Sequence, residues 1–411
     1  MSLGLYISVP FCRTKCSYCN FASDVFSKSA YDNYVARLLE DIANSQDLAS
    51  RIGCTLRAAA NDAADSIYLG GGTPSILEAS QLLRIFAAVR DEFAVAPDAE
   101  ITVECAPGTL APALIETLQQ CGVNRVSLGV QSFVDQEAQS VGRLHNRVTI
   151  LEEIARLRQA GLDNINIDLI AGLPHQTADS WAFSVSEAIA TGVPHVSVYM
   201  LEVDDDSRLG RELIAGGARY HAHFVPDEDK TADFYQQACE RLTGAGIAQY
   251  EISNFARGTR QSRHNLKYWT RQPYLGFGVD AHSMLGAGKA ALGHQAVRFA
   301  TPDSLDAYMN RAPHSVTPVT APSAIEESFF LGLRLNRGID LQGLWREFGR
   351  EAVGHWESAI QECIQDGLLE QEDTILRLTA RGRLLSNEVF ARFLIEETEE
   401  TKVGTGHVNP R

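Results

Sequence analysis

Leu5-Tyr6-Ile7-Ser8-Val9-Pro10-Phe11-Cys12-Arg13-Thr14-Lys15-Cys16-Ser17-Tyr18-Cys19 is the stretch that decides how this chain folds. Its first five residues are aliphatic, aromatic or small, which reads as a strand. Pro10 stops that strand, and three cysteines follow at once with the spacing C-x3-C-x2-C. Further strand patterns lie at Ser66–Leu69, Ile101–Glu104, Arg125–Leu128, Asn164–Leu169 and His195–Leu201. Helix periodicities separate them at Tyr31–Ser45, Ser80–Phe93, Ala111–Cys121, Thr149–Ala160 and Thr177–Thr191. Such alternation predicts βα units around a parallel sheet, an α/β fold. Six strands predict a partial (β/α)6 barrel, short of the eight-stranded form.

Parallel α/β folds place ligands at the carboxyl ends of their strands. The cysteine run follows the first strand, Gly70-Gly71-Gly72-Thr73-Pro74 the second, and Glu104 ends the third. The fourth leads to Gln131, and the fifth carries Asp168 before Gly172-Leu173-Pro174. Turns explain some of these features, but not their shared bias to one rim.

Three thiolates in one tight loop suit an iron–sulfur cluster whose fourth iron has no protein ligand. That open iron can chelate the amino and carboxylate groups of S-adenosylmethionine (SAM), with the protein positioning chemistry that the cofactor supplies. Structural zinc wants a fourth ligand, and no further Cys or His lies nearby. Three incidental buried cysteines fit poorly in a loop this polar. Cys54, Cys105, Cys121, Cys239 and Cys363 are scattered and read as small buried side chains.

The net charge of −16 repels phosphate backbones, so nucleic acid is not the expected partner. No run of eighteen apolar residues exists, so no transmembrane segment is expected. The first residues, Met1 to Tyr6, include no basic side chain. The expectation is therefore a cytoplasmic protein without a secretory signal.

Beyond residue 202 the pattern changes. Asp204-Asp205-Asp206 through Gly216-Gly217 reads as a solvated loop. A helix near Asp229–Leu242 and a strand near Gln249–Ile252 follow, and the proline-bearing stretch Arg311–Ser323 reads as a linker. Helices near Ala324–Leu333 and Ala352–Asp366, strands at Leu368–Gln371 and Leu376–Thr379, and a helix at Arg381–Phe393 suggest a small winged-helix-like unit. Residues 321–393 hold eight arginines, no lysine and twelve acids, which favours packing or partner docking over DNA. The expected division is 1–225 for the barrel, 226–310 for an additional α/β segment, 321–393 for the small domain and 396–411 for a disordered tail.

The full motif set resembles the radical SAM superfamily, in the branch that holds oxygen-independent coproporphyrinogen III oxidase and its HemW-type heme chaperone relatives. The set is LYISVPFC (5–12), YLGGGTPS (68–75), VECAPGT (103–109), RVSLGVQSF (125–133), GRLH (142–145), NIDLIAGLP (166–174) and HNLKYW (264–269). The resemblance implies a radical SAM barrel with Cys12, Cys16 and Cys19 on a [4Fe–4S] cluster. It places Tyr6 at the methionine end of SAM, Gly72 and Thr73 at its amino group, and Glu104 at its ribose or amino group. Gln131, Arg143 and Asp168 match residues lining a second SAM position, and Met200 is a loose match to a small backbone-contact residue. Tyr18 and Phe21 would shield the cluster or stack on adenine. The bland alternatives are helix caps for Glu104 and Asp168 and a surface ion pair for Arg143.

Phe21 stands where the oxidase has a further Cys, and the chain reaches Tyr6 without the oxidase's N-terminal extension. Both features point toward the heme chaperone. His264-Asn265-Leu266-Lys267-Tyr268-Trp269 matches the family's H-N-x-x-Y-W motif, which is associated with heme. Imidazole is the commonest heme ligand, Tyr and Trp offer flat walls, and Lys267 or Arg263 could pair with a propionate. Equally, a Tyr-Trp pair can close a core and His264 can be a hydrogen-bonded core residue. The leading expectation is a protein that binds heme and hands it to heme-accepting apoproteins. The alternative is a radical decarboxylase of coproporphyrinogen III propionates, and a radical SAM enzyme acting on RNA is disfavoured by the charge.

Overall fold

The computed structural model describes residues 2–54, 56, 63–288 and 293–395. Six strands run parallel in chain order: β1 (Leu3–Val9), β2 (Ala64–Gly71), β3 (Val95–Cys105), β4 (Arg125–Gln131), β5 (Ile165–Ala171) and β6 (His195–Met200). Beyond β6 come β8 (Asn254–Ala256) and β7 (Ala248–Gln249), both antiparallel. On the other side of β1 lies β9 (Tyr274–Phe277), parallel to it, then β10 (His282–Gly286), β11 (Ala296–Ala300) and β12 (Ser315–Val319) as an antiparallel meander. The whole is one twelve-stranded sheet, a partial barrel extended at both ends.

Side chains alternate across a strand, and here the alternation separates two chemistries. Leu5, Ile7, Val9, Ile67, Leu69, Val103, Val126, Leu128, Ile167 and Val198 are buried in the main core with the flanking helices. The opposite face carries Tyr6, Ser8, Ser66, Tyr68, Glu104, Arg125, Ser127, Asn166, Asp168, His195, Ser197 and Tyr199. A packed barrel interior is built from branched apolar residues. This one, the lumen side, is lined by polar side chains instead, most of them buried.

Several expectations change. Residues 204–217 are not wholly loop: Arg208–Ala215 is a helix, capped by Ser207, whose Oγ accepts from the Gly210 N–H at 2.9 Å. The stretch read as a linker contains β12 and the start of the helix Ala321–Gly332. Prolines misled there, because an edge strand and a first helical turn both tolerate them. The strand placed at Gln249–Ile252 is the tight hairpin β7–β8. The tail 396–411 lies outside the described residues.

The small C-terminal unit has its own core around Phe329, Trp356, Leu376 and Phe393. Its sheet, in the order β13 (Ile339–Asp340), β15 (Ile375–Leu378), β14 (Leu369–Glu372), includes a first strand that the sequence did not disclose. The helix Leu341–Phe348 was likewise unanticipated. Arg271 and Arg298, on the barrel side, reach Glu327 of this unit at 3.0 and 2.6 Å.

Candidate functional site

The cysteine loop leaves the carboxyl end of β1 and is fixed along its length. Cys12 N–H donates to Asp24 O at 3.0 Å, Ser17 N–H to Val141 O at 3.1 Å and Thr14 Oγ1 to Gly142 O at 2.9 Å. Lys15 Nζ donates to Phe21 O and Ser23 O at 2.7 and 2.6 Å. Two donors face the sulfurs: Thr73 Oγ1 lies 3.8 Å from Cys12 Sγ and Arg143 Nη1 3.6 Å from Cys16 Sγ. Burial raises the Cys12 and Cys19 thiols above their ordinary pKa. Among the described residues, no three His, Cys, Asp or Glu side chains converge as one metal ion would require. Three soft donors held apart, two of them hydrogen-bonded, suit a cluster in which each of three irons takes one thiolate.

Gly72 serves this loop directly. A Cβ there would meet Val9 O at 2.7 Å and Phe11 O at 2.8 Å, so only glycine lets the end of β2 close on the cysteines. At Gly70 a Cβ would meet the Glu104 carboxyl at 2.9 Å. Glu104 accepts from Tyr68 Oη at 2.8 Å. Burial lifts its carboxyl to about 7, and nearby Asp168 adds to the rise. Asp168 accepts from Ser127 Oγ at 3.1 Å and Asn166 Nδ2 at 2.7 Å, and burial raises it as well.

Gln131 and Arg143 meet over Gly129, where a Cβ would lie 3.1 Å from Gln131 Nε2 and 3.0 Å from Arg143 Nη2. Gln131 has φ +68, a left-handed conformation uncommon outside glycine. Its Oε1 and the Arg143 Nε are buried without a hydrogen-bond partner. A missing acceptor and a missing donor on one rim fit a ligand offering both, as SAM does. Tyr6 faces Tyr68, with ring centroids 6.2 Å apart. Tyr18 packs on Val141, Ile170 and Leu173. Phe21 stands out from the loop, 60% exposed. Met200 closes β6.

His264 is at the other end. Its helix, Arg263–Trp269, sits against the amino ends of β1, β2 and β3 and forms a floor. Its Nδ1 is 3.0 Å from Ser66 Oγ and its Nε2 2.8 Å from Tyr268 Oη. The ring is buried, and burial, with Lys267 and Arg125 nearby, holds its pKa down to about 3. Both nitrogens are engaged, so His264 presents no free one to an iron. Lys267 is buried too, 2.6 Å from Asp65 Oδ1 and bonded to Ser2 O at 3.0 Å, so it offers nothing to a propionate. Arg263 is paired with Asp98, its Nη1 2.6 Å from Asp98 O. Of the two readings open for the motif, the geometry gives the core-closing one.

Comparison with known proteins fits this architecture. The family model of the radical SAM superfamily matches residues 6–186, and that of the HemN C-terminal domain matches 319–385. The heme chaperone HemW of Bacillus subtilis (strain 168) is 31% identical over 95% of this chain and 99% of its own length. That of Lactococcus lactis subsp. lactis (strain IL1403) is 32% identical over 95% and 97%. The chain belongs to the HemW family of the radical SAM superfamily. Among solved structures, coproporphyrinogen III oxidase (HemN) of Escherichia coli superposes with a TM-score of 0.80 at 23% identity, covering 95% of this chain and 89% of that one. That likeness shows a shared fold over 95% of this chain.

Reading the family motifs left some lumen residues out. Arg125 is 2% exposed, and no described carboxylate lies within ion-pair distance of it. His195 is clasped by Asn166 Oδ1 at 2.6 Å and Tyr250 Oη at 2.9 Å. The signal for both was present: Arg125, Ser127, Gly129 and Gln131 occupy alternate positions of one strand, as do His195, Ser197 and Tyr199.

Proposed function

We propose that this chain binds heme and passes it to heme-accepting apoproteins in the cytoplasm, on a scaffold whose rim holds a [4Fe–4S] cluster and SAM. The observation that carries this reading is the end-to-end likeness to proteins named heme chaperones, over 95% of the chain. Cys12, Cys16 and Cys19 would hold the cluster, which when bound supplies single electrons. Tyr6, Gly72, Thr73, Glu104, Gln131, Arg143 and Asp168 border the space beside them and would hold SAM.

The chain's own contribution there is positioning and proton control. Thr73 and Arg143 direct hydrogen bonds at two sulfurs, which steadies them as thiolates. Glu104, with its pKa near 7, can either donate to or accept from a ligand hydroxyl or amine at neutral pH. The acidic surface disfavours nucleic acid as a partner.

The test uses full-length protein reconstituted anaerobically with iron and sulfide. Titrated hemin should form a stable complex and move to an added apo-globin. Incubation with SAM, reductant and coproporphyrinogen III should leave the tetrapyrrole unchanged. Decarboxylation of its propionates would overturn the chaperone reading in favour of the oxidase.

A further inference from the structure

The loop after β5 and the segment Tyr220–Phe224 meet on the rim beside the cysteine loop. His175 N–H donates to Phe224 O at 2.9 Å, and the His175 ring stacks on Phe224 with centroids 4.2 Å apart. His175 Nε2 lies 3.2 Å from His221 Nδ1. Both histidines have positive φ, +68 and +62, which side chains other than glycine seldom adopt. Two left-handed histidines in contact place their imidazoles by backbone constraint, the kind of strain that gathers at binding sites.

Resting on the heme-handling reading, we infer that His221 is the iron ligand of a heme site on this rim, with His175 as its positioning residue. A metal-bound imidazole is oriented by the hydrogen bond its other nitrogen makes. His221 Nδ1–H donating to His175 Nε2 supplies that bond and leaves His221 Nε2 for iron. No described group hydrogen-bonds this Nε2, and it is not among the buried unpartnered atoms. An imidazole ligates iron in its neutral form through the nitrogen that carries no proton.

The surroundings suit a flat apolar ring with carboxylates at one edge. Phe224, Leu213 and Ile214 are 56, 52 and 68% exposed. They come from two segments joined by Glu212, which accepts from the N–H groups of Tyr220 and Ala222 at 2.7 and 3.1 Å. Residues 208–224 carry three arginines against that single, engaged acid, in a chain of net charge −16. Exposed Arg211 and Arg219 are suited to heme propionates. The site also adjoins the cysteine loop, since Leu209 N–H donates to Ser17 O at 2.8 Å.

Hemin titration of the full-length protein tests this, with the Soret band and low-spin EPR signal as readouts. His175→Ala should weaken binding by about tenfold while histidine ligation persists, the low end for losing an orienting partner. His221→Ala should weaken it more and abolish the histidine-ligated spectrum, and added imidazole should restore that spectrum. Restoration also shows that the variant is folded. Wild-type affinity and spectrum in His221→Ala would overturn the site while leaving the heme reading intact. Failure of the wild-type protein to bind hemin at all would overturn both.

Discussion

The two ends of the barrel are built from the same kinds of side chain and treat them oppositely. On the floor, His264 has both nitrogens bonded and Lys267 is buried against Asp65, Ser2 and Gln272. On the rim, Gln131 Oε1 and Arg143 Nε are left without partners, and Phe21, Leu144 and Phe224 stand in solvent. A histidine–tyrosine–lysine motif therefore does not by itself separate a binding site from a plug. Satisfaction of the histidine and lysine does, since buried polar atoms in a folded chain mostly find partners. Trp269 Nε1 of the same motif, by contrast, is buried without a hydrogen bond among the described residues, and the Arg334 guanidinium lies over its ring.

Breaking the rim should show in ligand content. Cys12→Ala, Cys16→Ala and Cys19→Ala should each lose nearly all reconstituted iron, with the apo-protein's unfolding midpoint little changed. Full iron in all three variants would remove the rim's claim to a cluster. Breaking the floor should show in stability instead. Lys267→Ala strands Asp65 and should cost about 3 kcal/mol by urea unfolding, the low end for halving a buried pair because Asp65 keeps some solvent. A loss under about 1 kcal/mol would mean that the floor is not sealed.

Smaller effects sharpen the same contrast. His264→Phe leaves Ser66 and Tyr268 unpaired and should cost about 1–3 kcal/mol at neutral pH, with hemin affinity unchanged; weaker hemin binding would reopen the floor as a heme site. His264 stays neutral when folded down to about pH 3 but protonates near 6.5 when unfolded. Stability that the wild type loses through it as pH falls from 6.5 toward 3 is therefore spared in the variant. Glu104 has the opposite sign. Its carboxyl protonates at about 7 when folded against 4.5 when unfolded, so its contribution favours folding at low pH and is lost as pH rises through 7. Glu104→Gln should gain on the order of 1 kcal/mol at pH 8 and flatten that slope; an unchanged slope would mean that the rim carboxyl is solvated.

The sequence made the first half of the fold readable because its strands are long and its helices periodic. All six barrel strands lie within a few residues of their sequence positions, β3 excepted, which begins at Val95. The meander β9–β12 was not readable. Its strands are four or five residues long, and Pro318 looks like a linker until β11 pairs with it. The cysteine spacing pointed to the rim without help, whereas His264 was drawn to heme by residue type and by the family motif it belongs to. What the motif could not convey is that Ser66, sixty-two residues beyond Gly4, closes on the same imidazole. His175 and His221 are 46 positions apart and form a pair only once the helix Arg208–Ala215 folds.

An open sheet of twelve strands has two ends, and each is a template on which another chain could stack. One ends in β7, only two residues long. The other ends in β12, which exposes Ser315 through Pro318 and whose Pro318 has no N–H to offer an incoming strand. A protein that displays Phe21, Leu213 and Ile214 in solvent gathers hydrophobic encounters by design. With both sheet ends blunted, those encounters are given no long free edge on which to grow strand by strand.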